Sequence, residues 1–110
     1  MVNIQAQFDK AVAIINNPAN KTAIETSTDE KLQFYGAYKQ ANEGDYTNGK
    51  APGTFDFTGK AKYNAWKKNE GLSKEQAQAI YVELFKSIIQ KSEDEESKKF
   101  LEEVEQAGAQ

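Results

Sequence analysis

Tyr35 and Lys39 stand four residues apart. In a helix that spacing places both on one face. A phenol beside an ammonium offers several hydrogen-bond donors around one point, an arrangement suited to phosphate oxygens. A lysine snorkelling past a core tyrosine would leave the same pattern, so the pair alone leaves the choice open. Lys62 and Trp66 repeat the spacing within Lys60-Ala61-Lys62-Tyr63-Asn64-Ala65-Trp66. An indole near an ammonium can stack on a purine or pack as core. Tyr81 lies inside an apolar stripe, where its hydroxyl needs a partner: a backbone carbonyl in one reading, a ligand in the other.

Other chemistry is restricted by composition. The chain of 110 residues has no cysteine and no histidine. This removes disulfides, thiolate nucleophiles, most zinc sites and the usual general base. Carboxylates, lysines and hydroxyls remain, but no nucleophile stands with an orienting base, so no enzymatic activity is expected. The run Glu93 to Glu96 lacks the spacing and central glycine of a calcium loop and reads as a solvated helix start. Gly44, Gly49 and Gly53 match no phosphate-loop or dinucleotide spacing.

Charge points the same way. All 14 basic residues are lysine, and the net charge is −3. A nucleic-acid binder would be basic overall and would use arginine to read bases, so no nucleic-acid partner is expected. Residues 31–74 hold eight lysines against Glu43, Asp45, Asp56 and Glu70, net +4, whereas residues 75–110 are net −5. A basic centre in an acidic chain suits a small anion better than a long polyanion. Ordinary surface patterning would also produce it.

Helices must position these groups. Phe8, Ala11, Val12 and Ile15 have the spacing of one buried face, predicting a helix over about residues 3–16 that ends before Pro18. A polar connection follows, from Ala19 to Thr26. Ser27-Thr28-Asp29-Glu30 reads as a capping box; it opens a second helix with Leu32, Tyr35 and Lys39 on one face and Phe34 and Tyr38 on the next. Gly44 and Asp45 stop it. A long loop is predicted over residues 42–56, and loops of that length are often functional. A third helix covers about residues 58–69. Ser73-Lys74-Glu75-Gln76 is a second capping box, opening a helix with Ala77, Ile80, Tyr81, Leu84 and Ile88 on one stripe and Phe85 and Ile89 beside it. Ser92-Glu93-Asp94-Glu95 reads as a third box before a short helix that is expected to dock Phe100, Leu101 and Val104. No strand alternation or repeat occurs, so the fold is all-α. No apolar run approaches the ~20 residues of a membrane span, and residues 1–10 show no signal pattern, so a cytoplasmic location is expected.

Three blocks carry a resemblance to a known family: Tyr35-Gly36-Ala37-Tyr38-Lys39-Gln40-Ala41 closed by Gly44-Asp45; Pro52 to Trp66; and Gly71-Leu72-Ser73-Lys74-Glu75 with Ala77 and Tyr81. In order and spacing they resemble the acyl-CoA-binding proteins over about residues 30–85, with Phe8-Asp9-Lys10-Ala11 extending the likeness to the start. The resemblance implies an up-down-down-up four-helix bundle, here with a short extra C-terminal helix, dividing the chain at 1–91 and 92–110. It implies a bowl for a coenzyme A head group and a groove for the acyl chain. Tyr35, Lys39, Lys62 and Tyr81 match the family's head-group residues. Tyr38 falls in the same segment, facing either the ligand or the core. Asn16, Leu32 and Thr58 are lesser candidates; Asn16 and Thr58 stand where the family often has lysine. Tyr63 stands where the first of two tryptophans is usual, Ala51 where an arginine is common, and the connection between the first two helices is longer than typical.

The expectation is therefore a monomeric carrier of fatty-acyl-CoA. The thioester is cargo rather than cofactor, and no cofactor or metal is expected. Neither is stable membrane insertion; contacts with acyl-CoA-using enzymes would be transient. A helical interaction module that uses the acidic C-terminal segment is the alternative.

Overall fold

The computed structural model describes residues 3–20, 24, 26–46, 56–91 and 95–109. They form five helices: α1 (Ile4–Asn16), α2 (Thr28–Glu43), α3 (Phe57–Lys67), α4 (Lys74–Gln90) and α5 (Glu95–Gly108), with a 3-10 turn at Pro18–Asn20. No strand occurs among the described residues. The residues of the predicted loop from Thr47 to Phe55, with Gly49, Ala51, Pro52 and Gly53, lie outside that set, as do Ser92, Glu93 and Asp94 of the third box.

The starts of α1 to α4 are each set by a side chain that accepts an otherwise orphaned N–H. Ala6 N–H donates to Asn3 Oδ1 at 3.1 Å. Ser27 and Glu30 form the predicted box: Glu30 N–H donates to Ser27 Oγ at 3.1 Å and Ser27 N–H to Glu30 Oε1 at 2.8 Å. Ser73 and Gln76 repeat it on α4. Asp56 caps α3 through Gly59 N–H at 2.9 Å. α2 ends at Gly44, whose φ of 76° is a conformation glycine adopts without a Cβ penalty.

α4 is central and packs against α1, α2 and α5, while α3 packs on α2. The core joins Phe8, Ala11 and Ile14 of α1 to Phe34, Ala37 and Ala41 of α2 through Tyr81, Val82, Phe85, Ile88 and Ile89 of α4. Gly36 lets α2 and α3 approach closely: a Cβ there would overlap the carbonyl oxygen of Ala65. The C-terminal helix docks as expected, with Phe100 and Val104 buried and Leu101 packed beside them. It is held at its far end by Asn3 N–H donating to Gly108 O at 2.8 Å.

Two predicted faces are rotated. On α1 the third buried apolar residue is Ile14, whereas Val12 and Ile15 are half-buried. α1 is covered by α4 and α5, and Ile15 turns toward an opening beside α2. On α4, Ile80 was expected in the core stripe but remains 39% exposed, while Val82 is buried in the core.

Candidate functional site

The backbones of α1 and α2 stay apart among the described residues, and the helices meet through side chains such as Phe8 and Tyr38. Between them lies a cleft of about 780 Å³. Ile15 and Asn16 form one wall, and Asn20, Ile24 and Thr26 extend it along the connection. Lys31, Phe34, Tyr35 and Tyr38 form the wall on α2, with Tyr81 of α4 also lining the cleft. Four predicted residues, Tyr35, Tyr38, Tyr81 and Asn16, therefore share one cavity.

Tyr81 is only 3% exposed. Its ring meets Phe34 at 4.8 Å and Phe8 edge-on at 5.1 Å. Burial, then the neighbouring Tyr38, pushes its phenol well above the ordinary tyrosine range, so it is a neutral donor at physiological pH. No described residue hydrogen-bonds its hydroxyl, although a polar group so placed normally has a partner. Tyr38 stacks on Phe8 with ring centroids 6.2 Å apart and stays 38% exposed. It thus faces core and cleft at once.

The two predicted lysines converge on Tyr35 from different helices. Lys39 Nζ lies 5.9 Å and Lys62 Nζ 5.3 Å from the centre of its ring, within cation–π range. Lys39 is also 5.5 Å from the Trp66 ring. The pairing thus runs across helices: Lys62 stands over Tyr35, and Lys39 faces Trp66. Lys39 is engaged by Glu43 at 2.6 Å, and that hydrogen bond raises the lysine above its ordinary value. Both partners are partly solvated, so the pair contributes little to stability.

Trp66 is structural. It is 9% exposed, its Nε1–H donates to Gly44 O at 2.8 Å, and Tyr46 meets it edge-on at 4.9 Å. Tyr46 meets Tyr63 in the same way. Leu32 is not in the cleft. It lines a second cavity of about 940 Å³ with Ala61 and Ala65 of α3 and Ile80 of α4, edged by Asp29, Lys67 and Lys68. Thr58 is exposed on the first turn of α3 and lines neither cavity.

Sequence reasoning missed Lys31, Asn20, Ile24 and Thr26. The signal for Lys31 was available, since it precedes Tyr35 by four residues as Lys39 follows it. No comparable spacing marks the connection.

The model of the family described as acyl CoA binding protein matches residues 5–85. The chain belongs to the acyl-CoA-binding protein family. It is 39% identical over 88 residues to an acyl-CoA-binding protein homolog of Manduca sexta, covering 80% of this chain and 93% of that one. It is 44% identical over 84 residues to acyl-CoA-binding protein homolog 1 of Caenorhabditis elegans, covering 76% and 92%. The crystal structure of a Moniliophthora perniciosa acyl-CoA-binding protein superposes with a TM-score of 0.86 at 48% identity, covering 93% of this chain and 95% of that one. The family match ends within α4, and α5 lies beyond it. The fold is the family's four-helix bundle with an added C-terminal helix.

Proposed function

We propose that the chain binds medium- to long-chain fatty-acyl-CoA thioesters and carries them without chemical change. The observation that supports this most is the convergence on Tyr35. Two ammonium groups from α2 and α3 approach its ring, and the same residue lines a cleft with the unpartnered phenol of Tyr81. Family membership and the names of the relatives point to the same ligand class.

In this reading a phosphate group of the ligand lies among Lys39, Lys62 and Tyr35, and the Tyr81 hydroxyl donates from the cleft. Lys39 turns part of its hydrogen bonding from Glu43 to the ligand. The acyl chain lies along the second cavity, where Leu32, Ala61, Ala65 and Ile80 offer apolar surface. The chain has no cysteine or histidine to attack or activate the thioester, which fits a carrier rather than a hydrolase.

The energies are adequate. Ten buried methylenes contribute about 8 kcal/mol. Each charge-assisted hydrogen bond adds ~1.5–3 kcal/mol. Ordering and desolvation remove much of the sum, leaving submicromolar affinity that needs both halves of the ligand. Titration calorimetry with palmitoyl-CoA, palmitate and free coenzyme A tests this directly. The thioester should bind far more tightly than either fragment; equal affinity for palmitate would overturn the proposal. A monomeric, cytoplasmic carrier that buffers acyl-CoA and delivers it through transient enzyme contacts is the physiological role that follows.

A further inference from the structure

Lys31 has no part in the reading above, yet among the described residues it is the one cation lining the cleft between α1 and α2. It lies one helical turn before Tyr35, as Lys39 lies one turn after it. The two lysines differ in their surroundings. Lys39 is held by Glu43 at 2.6 Å. Lys31 is exposed and has no ion-pair partner among the described residues. The nearest acids along α2 do not take it: Glu30 is committed to the Ser27 N–H and to Lys91, and Asp29 lines the other cavity. Asn16, Asn20 and Ile24, the described residues of the opposite wall, are uncharged. Asn20 commits one of its two Nδ2–H donors to Ile14 O, 3.0 Å distant, at the end of α1.

We propose that Lys31 is a further ligand-binding residue, holding a phosphate of the ligand's nucleotide end in the α1–α2 cleft. This rests on the acyl-CoA reading. Coenzyme A carries phosphate at two separated places, a diphosphate and a ribose phosphate. The site offers two separated cationic points around Tyr35: Lys39 with Lys62 on the α3 side, and Lys31 on the α1 side. A single cluster would serve one phosphate group and leave the other to solvent. An unpaired, solvated ammonium also gives up no existing partner when it meets an anion.

The test is calorimetric titration of palmitoyl-CoA into the full chain and its Lys31→Ala and Lys31→Arg variants, at fixed ionic strength. A charge-assisted hydrogen bond lost with the ammonium corresponds to a roughly tenfold or greater rise in Kd. Lys31→Ala should show that rise, Lys31→Arg should stay within about threefold of wild type, and melting temperatures should be unchanged because an exposed lysine contributes little to stability. Repeating the titrations with the thioester lacking the ribose phosphate identifies the contact. If Lys31 holds that phosphate, the alanine variant loses nothing further; if it holds the diphosphate, the tenfold loss persists. Tight wild-type binding with Lys31→Ala within twofold of it would overturn the assignment while leaving the carrier reading intact. A wild-type chain that does not bind palmitoyl-CoA would overturn both.

Discussion

α1 has two very different flanks. On one it is sealed by α5, with Phe100 and Val104 buried and Asn3 bonded to Gly108 O. On the other it stands away from α2, leaving a cleft lined by three tyrosines and a lysine. The first flank behaves as core, joining Phe100 and Val104 to the buried residues of α1. The second places the Tyr81 hydroxyl and the Lys31 ammonium, which have no described protein partner, beside apolar rings, where the proposed ligand would meet them. In the proposed reading the same helix separates stability from binding, so substitutions on its two sides should have separable effects.

The largest effect is expected on the sealed flank. Phe100→Ala removes a buried aromatic ring and should destabilise the fold by about 3–5 kcal/mol, read as a drop in melting temperature or urea midpoint. Well below the transition, its affinity for palmitoyl-CoA should be close to wild type. A stable variant that fails to bind would show that the α5 flank reaches into the site. Deleting residues 92–110 should likewise lower the melting temperature, and no change would contradict docking of α5.

Around Tyr35, which borders the open flank, the signs reverse. Lys62→Ala should weaken binding by about 1.5–3 kcal/mol with helix content and melting temperature unchanged. Lys39→Ala should cost less, because the ligand competes with Glu43 for that ammonium and an exposed pair contributes about 0–1 kcal/mol. Glu43→Gln sharpens the point: releasing Lys39 should tighten binding slightly. If Glu43→Gln weakens binding, the carboxylate is aligning Lys39 rather than competing for it.

The two flanks were unequally legible in the sequence. Capping boxes at Ser27 and Ser73 set helix starts through local hydrogen bonds, and local rules found them. The docking of Phe100, Leu101 and Val104 followed from helical spacing, because a packed face has to be continuous. The cleft depends on what is absent between two helices, and spacing along either one does not reveal it. Ile15 and Ile80 were assigned to the core for that reason: periodicity shows that a residue is apolar, not whether a neighbour arrives to cover it. The pairing of Lys62 with Tyr35, rather than with Trp66, is a cross-helix contact of the same kind. Family resemblance supplied Tyr35, Lys39, Lys62 and Tyr81 as a set, which their individual spacings left undecided.

A smaller effect tests the Tyr81 hydroxyl. Tyr81→Phe retains the ring packing against Phe8 and Phe34 and removes only the oxygen. Because no described residue bonds that oxygen, stability should hold or rise slightly. Binding should weaken by roughly 0.5–1.5 kcal/mol, the worth of one neutral hydrogen bond. Unchanged binding together with lower stability would place the hydroxyl in the fold instead of the site.

The smallest expected effect lies at the junction that orders the end of α2. Asp45 Oδ1 accepts from Gly71 N–H at 2.8 Å and from Gln40 Nε2–H at 2.8 Å, while Gln40 also donates to Leu72 O at 3.0 Å. The Gly71 N–H, then the Gln40 amide, holds the Asp45 carboxyl below its ordinary value. A carboxyl lowered on folding adds stability that is fully present above its unfolded-state value, near 4, and is lost as pH falls through the folded value. Asp45→Asn keeps an acceptor oxygen but removes the charge, so it isolates that part. The variant should melt slightly below wild type at pH 7, and the gap should close as the medium is acidified below about pH 4. Asp45 lines neither cavity, so palmitoyl-CoA affinity at pH 7 should be the same in both. A gap that persists in strong acid would mean the substitution disturbs the geometry of the junction and not its charge; a change in affinity would mean the junction positions the binding face of α2, and the separation between the two flanks of α1 would not extend to this end of the bundle.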